Sequence, residues 1–169
     1  LTNLLNRGPW TERPGPLLSS GPPRPIALLF LDLDHFKLLN DRQGHNAGDR
    51  ALVAVAKALA TELRPADLLG RYGGEEFVAL LDGIPAQQAM QVATRLCRRV
   101  HRLEIPVSED SLLLSVSIGV AVRPEGDDVE SLVDRADQAM YDAKLGGRNR
   151  VSLHAGRTPA GPRLHLVET

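Results

Sequence analysis

The unbroken apolar run Ile26-Ala-Leu-Leu-Phe-Leu31, closing on Asp32, predicts a central strand buried on both faces. Beyond it, Leu52, Val55, Ala56, Leu59, Ala60 and Leu63 recur at helical spacing and predict a helix over 47–63. Residues 68–72 and 77–81 predict two short strands. Gly73-Gly74-Glu75-Glu76 joins them as a hairpin turn whose glycines are expected to supply positive φ. A second helix spans 86–103, with Ala89, Val92, Ala93, Leu96, Cys97 and Val100 on its buried stripe, where the thiol only packs. Residues 112–122 predict one long strand. Leu114, Val116, Ile118, Val120 and Val122 line one side; Ser115, Ser117, Gly119 and Ala121 line the other, small enough for close approach of another element. A third helix over 129–145 turns Val129, Leu132, Val133, Ala136, Met140 and Ala143 inward, and 151–154 closes the chain as a strand. Strands and helices in this order imply an α+β sheet with helices on one or both faces.

Residues 8–25 interrupt the pattern with Pro9, Pro14, Pro16, Pro22, Pro23 and Pro25 among three glycines, and read as an irregular connector. The chain does not begin with Met and ends in a polar tail over 156–169, as a piece of a longer protein would. Hydrophobic residues make up 43% of the chain, enough for one domain with a real core. Twenty basic residues against twenty-one acidic ones leave a net charge of −1, so no global field attracts nucleic acid or a membrane surface. One cysteine excludes a disulfide framework and fits a reducing compartment. No apolar run approaches the roughly 20 residues of a membrane-spanning helix, and no leader-like segment opens the chain. Among the twenty basic residues only Lys37, Lys57 and Lys144 are lysine, so what those three do matters.

Asp32-Leu33-Asp34 stands where the buried strand ends. Carboxylates there are costly unless they face solvent or meet a cation, and two at i, i+2 share a face suited to a hard cation. A solvated strand end is an equal reading of these residues alone. Adjacent Glu75 and Glu76 add repulsion that a bare hairpin does not need. Lys144-Leu-Gly-Gly-Arg148 at a helix end is either a favourable charge on the macrodipole or a pair of phosphate donors. Lys37, Asn40 and Asp49, taken alone, read as surface.

In order and spacing these pieces resemble the GGDEF domain of the diguanylate cyclase family, in its Gly-Gly-Glu-Glu-Phe form. The resemblance runs from residue 1 to about residue 153. Its signatures are Leu1-Thr2 through Asn6-Arg7; Phe30-Leu-Asp32-Leu-Asp34-His-Phe36-Lys37; Asn40-Asp41 with Gly44-His45 and Gly48-Asp49; and Arg71-Tyr72-Gly73-Gly74-Glu75-Glu76-Phe77. Ser117-Ile-Gly119-Val and Ala136-Asp137 through Tyr141 and Lys144, with Gly147-Arg148-Asn149, complete the set. The resemblance implies a central antiparallel-rich sheet flanked by helices, like nucleotidyl cyclase and polymerase palm domains with a ferredoxin-like core. It would occupy 1–154, with 155–169 as tail or linker.

It further implies condensation of two GTP into cyclic di-GMP with release of two pyrophosphates, at the interface of a homodimer. Asp32 and Glu75, with the Leu33 carbonyl, would hold Mg²⁺ or Mn²⁺, two ions per site. Glu76 would assist the metal or deprotonation of the attacking hydroxyl. Asn40 and Asp49 would read the guanine edge; Lys37, Lys144 and Arg148 would hold phosphates; and Phe36, Gly73 and Gly74 would complete the GTP site. Lys57 would be helix surface. Arg64-Pro-Ala-Asp67 resembles the family's R-x-x-D inhibitory site for the product, with Arg95 as a supplement. The implied setting is cytoplasmic, or the cytoplasmic part of a larger membrane-associated protein whose sensor or regulatory domain lies outside this chain. Two other classes stay open, a non-catalytic cyclic di-GMP receptor and a GTP-binding regulatory module. Two departures stand out. Asn3 replaces a usual Gly but tolerates positive φ. The Pro-rich 8–25 replaces a usual helix at the wall of the guanine pocket and the dimer face, leaving the catalytic carboxylates untouched.

Overall fold

The computed structural model describes residues 1–14, 24–107, 110–124 and 128–155. At its centre is β2 (Ile26–Leu33), buried along its whole length. Burial on both sides requires that alternate residues find separate cores. Ala27, Leu29, Leu31 and Leu33 enter one apolar cluster, while Ile26, Leu28 and Phe30 enter another. β2 pairs antiparallel with β4 (Glu76–Asp82) on one side and β7 (Val116–Val122) on the other. β3 (Leu68–Arg71) continues antiparallel from β4. The edges are short parallel strands, β1 (Leu5–Asn6) on β3 and β8 (Val151–Leu153) on β7. The order is β1-β3-β4-β2-β7-β8, an α+β sheet antiparallel in its middle, as expected.

Both faces are covered. Helices α2 (Phe36–Gln43), α3 (His45–Glu62) and α4 (Ala86–His101) build the first cluster; α1 (Arg7–Glu12) and α5 (Val129–Leu145) build the second. The small-residue side of β7 receives α5. A Cβ added to Gly119 would overlap the backbone of Ala136, Ala139 and Met140, so only glycine admits the helix to this depth. Asp128 caps the start of α5, its carboxylate accepting from the Ser131 N–H at 2.8 Å. One turn beyond Met140, the same packing carries Lys144 to the end of β2.

The helices over 86–101 and 129–145 match their periodicity within two residues, and Cys97 is buried as its stripe required. Its Sγ faces the Val116 carbonyl at 3.5 Å, and burial pushes the thiol pKa up, as for an inert packing group. Lys57 is exposed on α3. Asn3 takes φ 61°, so its turn survives the loss of glycine.

Four expectations need correction. The start of the Pro-rich stretch is helical. Pro9 falls in the first turn of α1, where its missing N–H removes no helix bond, and Trp10 is fully buried. The Trp10 indole donates to the Leu68 carbonyl at 3.2 Å and meets Tyr72 edge-on. Burial of one aromatic ring outweighs poor helix propensity over six residues. Residues 15–23 of that stretch, and the tail over 156–169, lie outside the described residues. Second, α2 was missed because Phe36 and Leu39 are its only buried side chains, too short a stripe to register. Third, the long strand over 112–122 is broken. β6 (Asp110–Leu113) pairs with β5 (Glu104–Val107) as a separate ribbon, and β7 begins only at Val116, with one further ladder bond before it, from the Asp34 N–H to the Ser115 carbonyl at 2.9 Å. Fourth, neither Gly73 nor Gly74 has positive φ. Gly73 supplies space instead: an added Cβ would overlap the Glu76 carboxylate.

Gly119→Ala should cost about 1–3 kcal/mol or more in urea denaturation, because rigid backbone must move. Gly74→Ala, with nothing within 4 Å of the new methyl, should stay near wild type. Equal stabilities would remove Gly119 from the docking of α5.

Candidate functional site

Asp32, the last polar position on the α5 face of β2, is 6% exposed. Its neighbours in register are Glu76 on β4 and Ser117 on β7. Lys144 Nζ from α5 stands 2.9 Å from Asp32 Oδ1, and beyond this ion pair that buried oxygen has no hydrogen-bond partner. Burial raises the Asp32 pKa, opposed by Lys144 and reinforced by the charges of Asp34 and Asp137. Glu76 is raised for the same reason, by burial first and then by Asp32 and Asp137. Lys144 answers both acids, joined at Glu76 by Arg7. Glu75 sits half-buried at the hairpin tip, and its carbonyl accepts from the Leu33 N–H at 3.3 Å, which ties the tip to the end of β2. Arg71 braces the tip by donating Nε and Nη2 to the Gly74 carbonyl.

Asp34 departs from the expected cation pair with Asp32. It is 4% exposed, and its carboxylate accepts from the Ser115 hydroxyl at 2.6 Å, the Ser117 hydroxyl at 2.7 Å and the Asn149 N–H at 3.0 Å. The reading of a solvated strand end is likewise overturned for both acids. Asp34 is a clamp: it joins β2 and β7 to the turn after α5. In that turn Gly147, Arg148 and Asn149 all have positive φ, and the Arg148 N–H donates to the Ala143 carbonyl. Arg148 is therefore delivered, half-buried, four residues past Lys144.

Past Asp34 the chain turns through His35 at φ 58° directly into α2. Lys37 is exposed in its first turn, and Phe36 is buried. Phe36 and Asn40 pack over Gly48 of α3, where a Cβ would overlap the Asn40 side chain. Asn40 Oδ1 is buried without a partner, and Asp49 is exposed beside Gly48. The helix pair α2–α3 thus brings the two expected base-reading residues to one corner.

A second constellation lies apart from these acids. Arg64 and Asp67 close a tight turn. Nε and Nη2 of Arg64 donate to the Asp67 carboxylate at 3.3 and 2.8 Å, and the Arg64 N–H donates to it at 2.9 Å. Arg64, Asp67 and Arg95 line one cavity of about 300 Å³ with Leu81, Ile84 and Gln91. A larger concavity of about 840 Å³ runs along the outer side of α4, past Arg95, Arg98, Arg99 and Arg102, and shares no lining residue with the acid cluster.

Asp137 was legible only as part of a motif, yet it acts on both Asp32 and Glu76. Its spacing of seven from Lys144, two helical turns, was the available signal. Ser115 and Ser117 read as small packing residues; their hydroxyls and an acid 81 and 83 residues away in sequence gave no local cue. Among the described residues, no three His, Cys, Asp or Glu side chains converge as a ready-made metal centre. The oxygen donors present are the partly unbonded Asp32 carboxylate, nearby acids and backbone carbonyls. That sparse, hard set fits a magnesium-type ion, which takes one or two carboxylates and completes its shell with water and substrate phosphates.

Residues 1–150 match the family model described as diguanylate cyclase, GGDEF domain. The chain is 40% identical over 135 residues to diguanylate cyclase A of Treponema denticola, covering 79% of this chain and 36% of that protein. It therefore spans about a third of the length of that curated relative. Among solved structures, diguanylate cyclase SiaD of Pseudomonas aeruginosa, in complex with its activator SiaC, superposes with TM-score 0.85 at 39% identity, over 90% of this chain and 59% of that one. The GGDEF domain of DgcB from Caulobacter crescentus, in complex with c-di-GMP, gives 0.82 at 32% identity, over 90% and 92%.

Asp34→Ala should lower stability by about 2–3 kcal/mol, since one buried and two part-buried donors lose a charged acceptor. Urea denaturation measures this; a loss below about 1 kcal/mol would show that the clamp is not what holds the turn after α5.

Proposed function

The chain belongs to the GGDEF family, and from that membership we propose that it is the catalytic domain of a diguanylate cyclase. Two GTP become cyclic di-GMP: each 3′-oxygen bonds to the α-phosphorus of the other nucleotide, each hydroxyl loses its proton, and two pyrophosphates leave. The observation that carries this reading is the buried Asp32 carboxylate. Its Oδ1 has Lys144 Nζ at 2.9 Å and no other partner, and the charges of Asp34 and Asp137 reinforce the rise that burial gives its pKa.

Asp32, the Leu33 carbonyl and Glu75 are the residues that would hold Mg²⁺ or Mn²⁺, two ions per site. Bound there, the metal supplies a lower pKa for the attacking hydroxyl and neutralises charge on the leaving pyrophosphate. The chain's own groups do the positioning. Lys144 trades the Asp32 carboxylate for a phosphate oxygen, Arg148 adds a bidentate fork, and Lys37 adds a third cation from α2. Asn40 offers its unpartnered oxygen to guanine donors and Asp49 accepts from the same edge, with Phe36 packed behind. Gly73 leaves room for Glu76, and Gly74, open on its outer side, lets phosphates approach the backbone. Glu76 assists the metal or takes the hydroxyl proton; its raised pKa suits the second task.

One chain offers one nucleotide site, so the second ribose must come from a second copy and the working unit is a homodimer. Product inhibition is read from Arg64, Asp67 and Arg95 lining one cavity. The complex of DgcB with c-di-GMP supports binding of that ligand by this fold, and the SiaD–SiaC complex supports regulation by a partner or domain outside this chain. Among the described residues no helix is long and apolar enough to cross a membrane.

Purified protein with GTP and Mg²⁺ should form cyclic di-GMP, with specific activity rising as protein concentration drives dimerisation. Absence of product at high concentration would overturn the proposal, and binding of cyclic di-GMP without turnover would favour a receptor. Glu75→Gln should lower turnover by about a hundredfold or more with an unchanged circular dichroism spectrum. Arg64→Ala should let product accumulate beyond the level at which the wild type stalls; an identical progress curve would remove Arg64 from inhibition.

A further inference from the structure

The two cavities on the α4 side meet at Arg95 and Gln91, which line both. Glu62, the last residue of α3, stands at that junction. Arg95 donates Nε to Glu62 Oε2 at 2.8 Å and Nη2 to the Glu62 backbone carbonyl at 2.8 Å, while Arg99 Nε lies 3.8 Å from Oε1. A guanidinium grips phosphate best through paired N–H groups on one edge. On Arg95 that edge is taken by Glu62; on Arg64 it is taken by Asp67. The trough is thus neutralised from within.

The two acids differ in how firmly they are held. The Asp67 side chain is 3% exposed and also accepts from the Arg64 N–H, so it stays. The Glu62 side chain is 24% exposed, and the guanidinium groups of Arg95 and Arg99 are its only described partners. Rotating its carboxylate into solvent costs little and releases Arg95 Nε and Arg99 together, while Arg95 Nη2 keeps the Glu62 backbone carbonyl. No helix needs Arg95 and Arg99 side by side, since like charges at i, i+4 repel.

We propose that Glu62 is a built-in competitor for the anionic ligand of this trough, and that its charge sets the affinity for cyclic di-GMP. This deepens the product-site reading of the Arg64–Asp67 cavity and rests on it. Phosphate enters by exchanging with the Glu62 carboxylate on Arg95 and Arg99, while the Arg64–Asp67 turn holds its shape. The alternative, that Glu62 merely fixes Arg95 for the ligand, predicts the opposite sign on loss of charge.

Calorimetric titration of cyclic di-GMP into the 169-residue chain separates them. Glu62→Gln keeps the length and one hydrogen-bond acceptor but not the charge, and should bind about two- to fivefold tighter, the worth of an exposed ion pair removed from competition. Glu62→Ala should shift the same way, and the gap from wild type should shrink as salt rises. Unchanged or weaker binding by both variants, while Arg64→Ala still abolishes binding, overturns the competition alone. If Arg64→Ala leaves wild-type affinity intact, the product-site reading fails and the competition falls with it.

Discussion

The close approach of α5 to β7 at Gly119 is the contact on which the acid site depends. Backbone of Ala136, Ala139 and Met140 occupies the space any side chain would need. A helix lifted by even one methyl would carry Lys144 away from its 2.9 Å contact with Asp32. The Asp34 clamp completes the placement by fixing the turn beyond α5 against β2 and β7. One glycine sets the depth of the helix, and one carboxylate sets the position of its exit.

Within that frame the sheet does something unfavourable on purpose. β2 is apolar until Asp32, and there it buries a carboxylate between strands whose register also presents Glu76. Burial and repulsion from nearby acids raise both pKa values, and Lys144, joined by Arg7 at Glu76, compensates only in part. A site that buries two acids side by side, with one carboxylate oxygen held by an exchangeable ammonium alone, is poised for a polyphosphate with its metal. Folding stability alone gives no reason for such a cluster.

Much of this was legible in the sequence, and the reasons are specific. β2, α4 and α5 announce themselves through long, clean periodicity. Asp32, Glu75, Lys144 and Arg148 were singled out because charges at strand ends, hairpin tips and helix ends lack a packing reason. What stayed hidden depended on partners far along the chain. Trp10 holds α1 only because β3 offers the Leu68 carbonyl and Gly70 leaves room for its ring. The long strand over 112–122 divides for a nearer reason: residues 110–113 pair with 104–107. Asp34 itself, read as half of a cation pair, is consumed by three donors that no local pattern reveals. Gly73 is needed for the space above it rather than for its φ, a distinction that composition cannot make.

The most direct test is a crystal structure with Mg²⁺ and 3′-deoxy-GTP, which can fill the site but lacks the attacking hydroxyl. The account predicts metal density at the Asp32 carboxylate, triphosphate beside Lys144 and Arg148, guanine against Asn40 and Asp49, and Lys144 moved from Asp32 to phosphate. Nucleotide bound elsewhere, with Lys144 still paired to Asp32 and no metal at the acids, would contradict it.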